Sequence, residues 1–125
     1  MPHAYWIVRV SVRDQARYPD YLAAAKPAFD KFGARFLVRG GPCTAMEGTT
    51  RERNVVVEFA DFETALGCYQ SPEYQAAKAI RNATADADFI IVEGVAADMI
   101  ASVGKKVASA PTPAAASVRS LSGRP

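Results

Sequence analysis

The order of the strand-like and helix-like segments constrains this chain more than any other feature of its sequence. Alternating apolar side chains predict a strand over residues 4–12, and apolar residues at a 3.6-residue spacing predict a helix over 18–33. Further strands are predicted over 34–40, 54–60 and 88–94, with a second helical region before the last of them. The resulting order, β-α-β-β-α-β, predicts an α+β, ferredoxin-like sandwich whose helices cover one face of an antiparallel sheet.

Capping residues define the helix ends and divide the second helical region. Asp61 is suited to the N-terminus of a helix over 62–70, and Ser71, which a proline follows, is a typical N-cap for another helix that ends near Asn82. Gly33 is suited to a left-handed C-cap of the first helix. We therefore expect two consecutive helices between the third and fourth strands.

The end of the chain differs in composition from the rest. Residues 104–125 are rich in Ala, Ser and Pro and contain basic side chains but no acidic one. Because they hold almost no large apolar group, they cannot bury enough surface to offset the entropy lost on ordering. We expect one ferredoxin-like domain over 1–103, with a weak terminal helix over 95–103, and a flexible basic tail over 104–125.

Composition and charge exclude several classes of protein. No apolar stretch approaches the roughly 18 residues that a membrane span needs, and the N-terminus lacks the pattern of a secretory signal. We expect a cytoplasmic protein with reduced Cys43 and Cys68 and no membrane partner. The net charge of +2 comes from the tail, so the body is slightly acidic and no nucleic-acid partner is expected.

One face of the predicted sheet mixes charged and apolar residues. If the more apolar side of each strand packs on the helices, the other face presents Arg9, Arg35, Arg39, Asn54, Glu58 and Glu93 among Tyr5, Ile7, Leu37, Val56, Phe89 and Ile91. A solvated face would hold more Lys, Thr and Ser. This mixture favours a face that a second copy of the chain covers, giving a homodimer. A hairpin with Arg39 opposite Asn54 also places Arg35 opposite Glu58.

Two interpretations of these charges remain open. They are either ion pairs of the dimer interface or groups that line a ligand pocket between the two sheets. Glu58 and Glu93 would suit a general acid or base if they were desolvated. The alternative is that they pair with Arg9 or Arg35.

The segment that follows the second strand does not match a nucleotide-binding loop. Gly40 and Gly41 lead towards another strand, and they lack both the G-x-G-x-x-G pattern and the Gly-Lys-Ser/Thr of a P-loop. A glycine at this point allows a positive φ as the chain leaves the strand. We expect this turn, at the start of the long loop 40–53, to direct Arg39 to the mouth of a cavity; the alternative is an arginine on the plain surface.

The sequence predicts neither a metal site nor a cofactor. His3 is the only histidine and lies at the start of the chain, and Cys43 and Cys68 are far apart in the sequence. This set offers no zinc-type cluster and no histidine deep in the domain to bind a haem.

Three residues of the helix after Ser71 share one face. Tyr74, Lys78 and Arg81 lie at positions i, i+4 and i+7. This spacing is typical of a solvated helix edge, with a binding stripe as the alternative. Cys68 lies in an apolar helical pattern and is expected to pack in the core. For Tyr21 of the first helix, packing in the core is the alternative to a binding role.

Several motifs in order resemble those of the domain-of-unknown-function 1330 family. They are "LVRGG", "EG", "RNVVVEF", "SPEYQ" with a later arginine, and "IVEG", and the resemblance covers about residues 3–96. It implies a dimeric α/β barrel built from ferredoxin-like subunits, and it implies no activity. The positions that match the family's recurrent polar pattern are Tyr21, Arg39, Glu47, Arg53, Glu58, Ser71, Tyr74, Arg81 and Glu93.

Together these observations predict a dimeric α/β-barrel protein that binds a small molecule. Arginine would hold a carboxylate, enolate or phenolate oxygen and glutamate would move a proton, as a cofactor-free enzyme acting on a small anionic or phenolic substrate requires. No catalytic residue is assigned, and the ligand-binding candidates are Arg9, Arg39, Arg53, Glu58, Tyr74, Arg81 and Glu93. The alternative is a non-catalytic dimeric binding or interaction module whose sheet-face charges are structural.

Overall fold

The structure, a computed structural model, describes residues 2–96 of the chain. The described residues fall into one compact unit, formed by 2–43 and 51–94, and a second that contains 44–50 and 95–96. Residues 44–50 form neither helix nor strand, and neither do 95 and 96. The rest of the predicted terminal helix and the predicted tail lie outside the described residues.

The first unit has the predicted order of elements. They are β1 (Ala4–Val12), α1 (Tyr18–Phe32), β2 (Arg35–Arg39), β3 (Arg53–Phe59), α2 (Phe62–Gln70), α3 (Pro72–Thr84) and β4 (Ala85–Glu93). All strand pairs are antiparallel, in the spatial order β2-β3-β1-β4. This is the ferredoxin-like arrangement, which confirms the predicted fold class.

The predicted caps are present. Gly33 ends α1 in the left-handed region with φ 68°. The Asp61 side chain accepts a hydrogen bond from the Thr64 backbone N–H at 2.7 Å, and Ser71 Oγ accepts one from the Tyr74 backbone N–H at 3.2 Å. These contacts satisfy backbone donors that the first turns of α2 and α3 would otherwise leave unpaired.

Trp6 of β1 is the centre of the core. It is almost fully buried, and its indole N–H donates a hydrogen bond to the Ala65 carbonyl of α2 at 2.9 Å. Its ring lies 5.5 Å from the ring of Phe29 on α1 and 4.9 Å from that of Tyr74 on α3. All three helices therefore pack on the side of the sheet to which Trp6 belongs, which we call the helix side. The opposite side is the open face, and it carries Tyr5, Ile7, Arg9 and Ser11 of β1.

The predicted orientation of β4 is wrong. Phe89 pairs with Val8 and Ile91 with Trp6, so both belong to the helix side rather than to the open face. The Phe89 ring lies 4.9 Å from the ring of Trp6. Glu93 follows the same alternation: it pairs with the buried Ala4 at the exposed end of the strand, away from the open face. The strand is apolar on both sides, so its pattern did not fix its orientation.

The predicted register of β2 is wrong beyond its middle. A β-bulge around Leu37 shifts the pairing, so Arg39 pairs with Val55 and not with Asn54. Because Val55 is a buried residue of the helix side, the bulge moves Arg39 to the helix side as well. Arg35, which precedes the bulge, pairs with Glu58 as predicted.

Among residues 2–96, no helix is both long enough and apolar enough to cross a membrane.

Candidate ligand cavity

A cavity of about 240 Å³ lies on the helix side, between α1 and the strands β1, β2 and β3. We call it the α1 cavity. Most of its wall is apolar or aromatic, and its polar groups are few. It is lined by Trp6, Val8, Val10, Tyr18, Tyr21, Leu22, Lys26, Phe29, Asp30, Ala34, Phe36, Arg39, Arg53, Val55 and Val57. An apolar pocket with a few polar groups is the usual form of a small-molecule site.

Arg39 is an exposed residue of the cavity wall. The bulge in β2 brings it to this side of the sheet, where its guanidinium carbon lies 4.2 Å from the centre of the Phe36 ring. Stacking on an aromatic face holds a guanidinium in place without using its N–H donors. The donors of Arg39 therefore remain available to a ligand.

Arg53 is a second, less exposed cation of the same cavity. Its guanidinium carbon lies 5.7 Å from the centre of the Tyr18 ring, and its Nε is buried without a hydrogen-bond partner among the described residues. Tyr18 is itself buried, and burial is the main cause that raises the pKa of its hydroxyl. The charge of Arg53 acts in the opposite direction, but burial outweighs it and the pKa of Tyr18 stays raised.

The charges of the α1 cavity are unbalanced. Neither Arg39 nor Arg53 forms an ion pair with a carboxylate of residues 2–96. The remaining charged groups, Lys26 and Asp30, pair with each other at 2.9 Å on the exposed surface of α1. The cavity thus offers two cations without a compensating anion from the described part of the chain.

A buried hydrogen-bonded network adjoins the cavity at Tyr21. The Tyr21 and Tyr74 hydroxyls are 2.8 Å apart, and Arg81 Nη1 donates to the Tyr74 hydroxyl at 2.6 Å. Tyr74 is fully buried and Arg81 is 5% exposed, so the expectation of a solvated helix edge at these two residues is wrong. Burial acts to lower the pKa of Arg81, but its interactions with Tyr74 and Tyr21 outweigh this and leave the pKa raised.

Lys78 does not take part in this network. Its ammonium lies 5.3 Å from the centre of the Tyr69 ring, and the residue is only half-buried. Cys68, by contrast, is fully buried as predicted, and its thiol lies 3.7 Å from the Ala28 carbonyl oxygen.

Glu58 lies on the open face, on the other side of the sheet from the α1 cavity. Its carboxylate accepts a hydrogen bond from the Tyr5 hydroxyl at 3.3 Å and lies 3.7 Å from both Arg35 Nη1 and His3 Nδ1. Partial burial and then the Glu58 carboxylate raise the pKa of Tyr5. The structure therefore supports the paired interpretation of Glu58, with Arg35 as its cation.

A second set of paired charges lies at the other end of the open face. Arg51 Nε donates to Asp88 Oδ2 at 2.9 Å, and Arg51 Nη1 donates to Ser11 Oγ at 3.0 Å. The hydrogen bond from Arg51 is the main cause that lowers the pKa of Asp88, and the charge of Arg9 contributes. In the strand register, Arg9 of β1 lies opposite Asp88 of β4 and Asn54 of β3.

The structure separates the predicted site residues into two groups. Arg39 and Arg53 line the α1 cavity and Tyr74 and Arg81 adjoin it, whereas Arg9 and Glu58 lie on the open face and Glu93 at a strand end. Sequence reasoning missed Tyr18 and Phe36 as cavity residues, because an apolar residue that lines a cavity shows the same periodicity as one that fills the core.

Within the described residues no group of three or more His, Cys, Asp or Glu side chains is placed to hold a metal ion.

Comparison with families and known proteins gives one family. The model of a domain of unknown function, DUF1330, matches residues 3–95. No curated protein sequence matches the chain.

Solved structures share the fold at low sequence identity. RPA0582, a protein of unknown function from Rhodopseudomonas palustris, is 16% identical over 76% of this chain and 84% of its own, with a TM-score of 0.64. A putative antibiotic biosynthesis monooxygenase from Caulobacter crescentus is 13% identical over 76% of this chain and 92% of its own, with a TM-score of 0.55. SnoaB, a cofactor-independent oxygenase from Streptomyces nogalater, is 11% identical over 77% and 96%, with a TM-score of 0.52.

Proposed function

Because this chain belongs to the DUF1330 family, whose description names no activity, we propose its function from the geometry of the α1 cavity: it binds a small anionic or phenolic molecule there. The observation that carries the proposal is the pair of cations, Arg39 and Arg53, that line an otherwise mostly apolar cavity without a carboxylate partner among residues 2–96. Such a pair binds a carboxylate or phenolate oxygen through charged hydrogen bonds.

The size of the cavity limits the ligand. Drug-sized ligands occupy pockets of roughly 300–1,000 Å³, whereas an apolar cavity of about 150 Å³ accepts benzene. At about 240 Å³, the α1 cavity suits a single substituted ring or an acid of similar size. The aromatic walls from Trp6, Phe29 and Phe36 favour a flat, apolar body.

We also propose that two copies of the chain associate through the open face. The register places one apolar residue of each strand in a row across the whole sheet: Val38, Val56, Ile7 and Ile90. Ile90 is 57% exposed, and the row lies between the charged sets around Glu58 and around Asp88. A closed two-fold dimer would bury the apolar row and leave the paired charges at its rim.

Binding and dimerisation use opposite sides of the sheet in this proposal. The ligand site proposed here lies on the helix side of the sheet and not between two sheets, where the sequence-based interpretation placed it. The paired charges of the open face are structural in this proposal, and Arg39 and Arg53 bind the ligand. Catalysis is a separate question. The likeness to two proteins named as oxygenases, at 11% and 13% identity, indicates the fold alone, and an oxygenase activity does not form part of the proposal.

A calorimetric titration with three ligands of similar shape tests the binding proposal. Benzoate and 4-nitrophenolate carry an anionic oxygen, and 4-nitrotoluene is a neutral control. We expect the two anions to bind at least tenfold more tightly than the neutral compound, the scale of one charged hydrogen bond. Equal affinities, or no binding of either anion at millimolar concentration, would contradict the proposal.

A further inference from the structure

The buried charge of Arg81 has no carboxylate partner in the described part of the chain. Its guanidinium lies among the rings of Phe89, Tyr74 and Tyr21, at 5.3, 5.9 and 6.0 Å from their centres. Nη1 donates to the Tyr74 hydroxyl, and Nε is buried with no hydrogen-bond partner among residues 2–96. An uncompensated buried cation costs free energy. Arg81 therefore favours a negative charge at the end of the hydrogen-bonded network that begins at its guanidinium.

The direction of the hydrogen bonds in this network follows from the chemistry of its members. A guanidinium only donates, so the Tyr74 oxygen accepts from Arg81. The fully buried Tyr74 has one proton of its own, and among residues 2–96 the Tyr21 oxygen, 2.8 Å away, is the acceptor within reach. Tyr21 then accepts from Tyr74, and its own proton is left to donate elsewhere.

Tyr21 also lines the α1 cavity, while Tyr74 and Arg81 do not. We infer that Tyr21 is a hydrogen-bond donor of the α1 cavity and that the buried Arg81–Tyr74 pair orients and polarises its hydroxyl, so that the cavity selects the deprotonated form of a phenol. Each member of such a chain strengthens the next, because a hydroxyl that accepts a charged hydrogen bond becomes a better donor. Tyr74 and Arg81 are positioning residues here, and Tyr21 is the residue that contacts the ligand.

This inference rests on the proposed function, since it requires a ligand in the α1 cavity. Its test uses 4-nitrophenol, whose phenolate absorbs visible light while the neutral phenol does not. A pH titration of the bound compound, with protein in excess, gives the pKa of the bound phenol directly. Loss of a donor to the phenolate oxygen raises that pKa, whereas a loss of packing that weakens the phenol and the phenolate equally leaves it unchanged.

The decisive variant is Tyr21→Phe. It keeps the ring and leaves Arg81 its acceptor on Tyr74, so no buried charge is stranded, although the buried Tyr74 hydroxyl loses its acceptor. We expect it to weaken binding of 4-nitrophenolate about tenfold and to raise the pKa of the bound phenol by about one unit. The affinity for 4-nitrotoluene, which has no hydroxyl, stays within about twofold of the wild-type value. Tyr74→Phe shifts the pKa of the bound phenol in the same direction by a smaller amount.

Tyr69→Phe is the matched control. Tyr69 belongs to the same aromatic cluster, with its ring 5.5 Å from that of Tyr74, but it does not line the α1 cavity. We expect it to leave both the affinity and the pKa of the bound phenol unchanged. If Tyr74→Phe does not fold, the comparison of Tyr21→Phe with Tyr69→Phe still decides whether Tyr21 donates a hydrogen bond to the ligand.

The outcomes separate the two proposals. If wild-type protein binds 4-nitrophenolate and Tyr21→Phe changes neither its affinity nor its ionisation, the inference about Tyr21 is wrong while the proposed function stands. If wild-type protein binds benzoate but not 4-nitrophenolate, the inference is again wrong while the proposed function stands, and if it binds neither anion, both are wrong. A Tyr21→Phe protein that loses affinity equally for 4-nitrophenolate and 4-nitrotoluene would show that Tyr21 shapes the cavity without donating.

Discussion

Gly40 lies so close to Arg53 that a Cβ at Gly40 would be 2.5 Å from Arg53 Nη1. Gly40 also has a φ of 73°, in the left-handed region, and its backbone N–H donates to the Asn54 carbonyl at 2.9 Å. Two properties of Gly40 therefore matter in the turn after β2. Glycine allows the positive φ, and the absence of a side chain leaves the space that the Arg53 guanidinium occupies.

Gly40→Ala is expected to reduce both stability and ligand binding. A non-glycine residue in the left-handed region costs about 1–2 kcal/mol, and the new methyl group displaces the flexible end of Arg53 from its place in the cavity wall. Gly33→Ala is a matched control, since Gly33 has a φ of 68° but an added Cβ there would have no atom of residues 2–96 within 4 Å. We expect thermal melts to show similar losses for the two variants and benzoate titration to show weaker binding only for Gly40→Ala. Equal benzoate affinities would argue against a role of Arg53 in binding.

Arg39→Ala is expected to weaken binding of benzoate by about 1.5–3 kcal/mol, the range for a charged hydrogen bond. Stability should change little, because Arg39 is exposed and its loss empties no packed volume. Arg35→Ala is the control on the same strand. Its side chain is 75% exposed and 3.7 Å from Glu58 on the open face, so we expect unchanged benzoate affinity and a stability change below about 1 kcal/mol. Calorimetry that finds the same benzoate affinity for Arg39→Ala and wild type would refute the assignment of Arg39.

Ile90→Lys is expected to convert the dimer to a monomer. Ile90 belongs to the apolar row of the open face, and a lysine there places a charge in the interface that we propose. Leu66→Lys, at a partly exposed position on α2, is the control and should remain dimeric. Sedimentation velocity at micromolar concentration distinguishes the two. A wild-type protein that sediments as a monomer would remove the basis of the dimer proposal.

The two cysteines are expected to differ in reactivity towards a thiol reagent. Cys43 is exposed and Cys68 is buried. Burial, with a smaller contribution from Glu73, raises the pKa of the Cys68 thiol to about 12. In native protein at pH 8 we expect an aromatic disulfide reagent to label one thiol per chain rapidly, and the second only after denaturant is added. Two rapidly labelled thiols in native protein would contradict the packing of Cys68.

The same burial predicts a dependence of stability on alkaline pH. The neutral thiol of Cys68 is favoured in the folded protein, so its contribution is fully present below the ordinary pKa of 9.0 and is lost as the pH rises towards about 12. Denaturant titrations at pH 8 and pH 11 should show a smaller loss of unfolding free energy for Cys68→Ala than for the wild-type chain. Equal losses would mean that Cys68 does not titrate with unfolding.

The sequence was sufficient for the order of elements and for their caps, because these depend on local signals. Asp61, Ser71 and Gly33 each act on the turn next to them, and all three have the predicted roles. The orientation of β4 could not be predicted, because Phe89 and Ile91 on one side are matched by Ile90 and Val92 on the other. Contact between Phe89 and the Trp6 ring, distant in sequence, decides between them.

The candidate site depended on two further non-local features. The bulge around Leu37 has no proline or glycine to signal it, yet it places Arg39 in the cavity and not on the open face. The burial of Arg81 depends on Tyr21 of another helix, which the spacing of α3 alone does not reveal. Residue types were therefore predicted better than the side of the sheet on which they lie.

The location of a bound ligand tests the central claim most directly. The indole N–H of Trp6, the only tryptophan of the chain, and the backbone amides of Phe36, Arg39 and Val55 all belong to residues that line the α1 cavity. In a titration of ¹⁵N-labelled protein with benzoate, followed by ¹H–¹⁵N correlation spectra, we expect these signals to shift together and to saturate with one dissociation constant. Signals of Ile7, Val56 and Ile90 on the open face should stay in place. Shifts confined to the open face, or no shift at millimolar benzoate, would contradict the account.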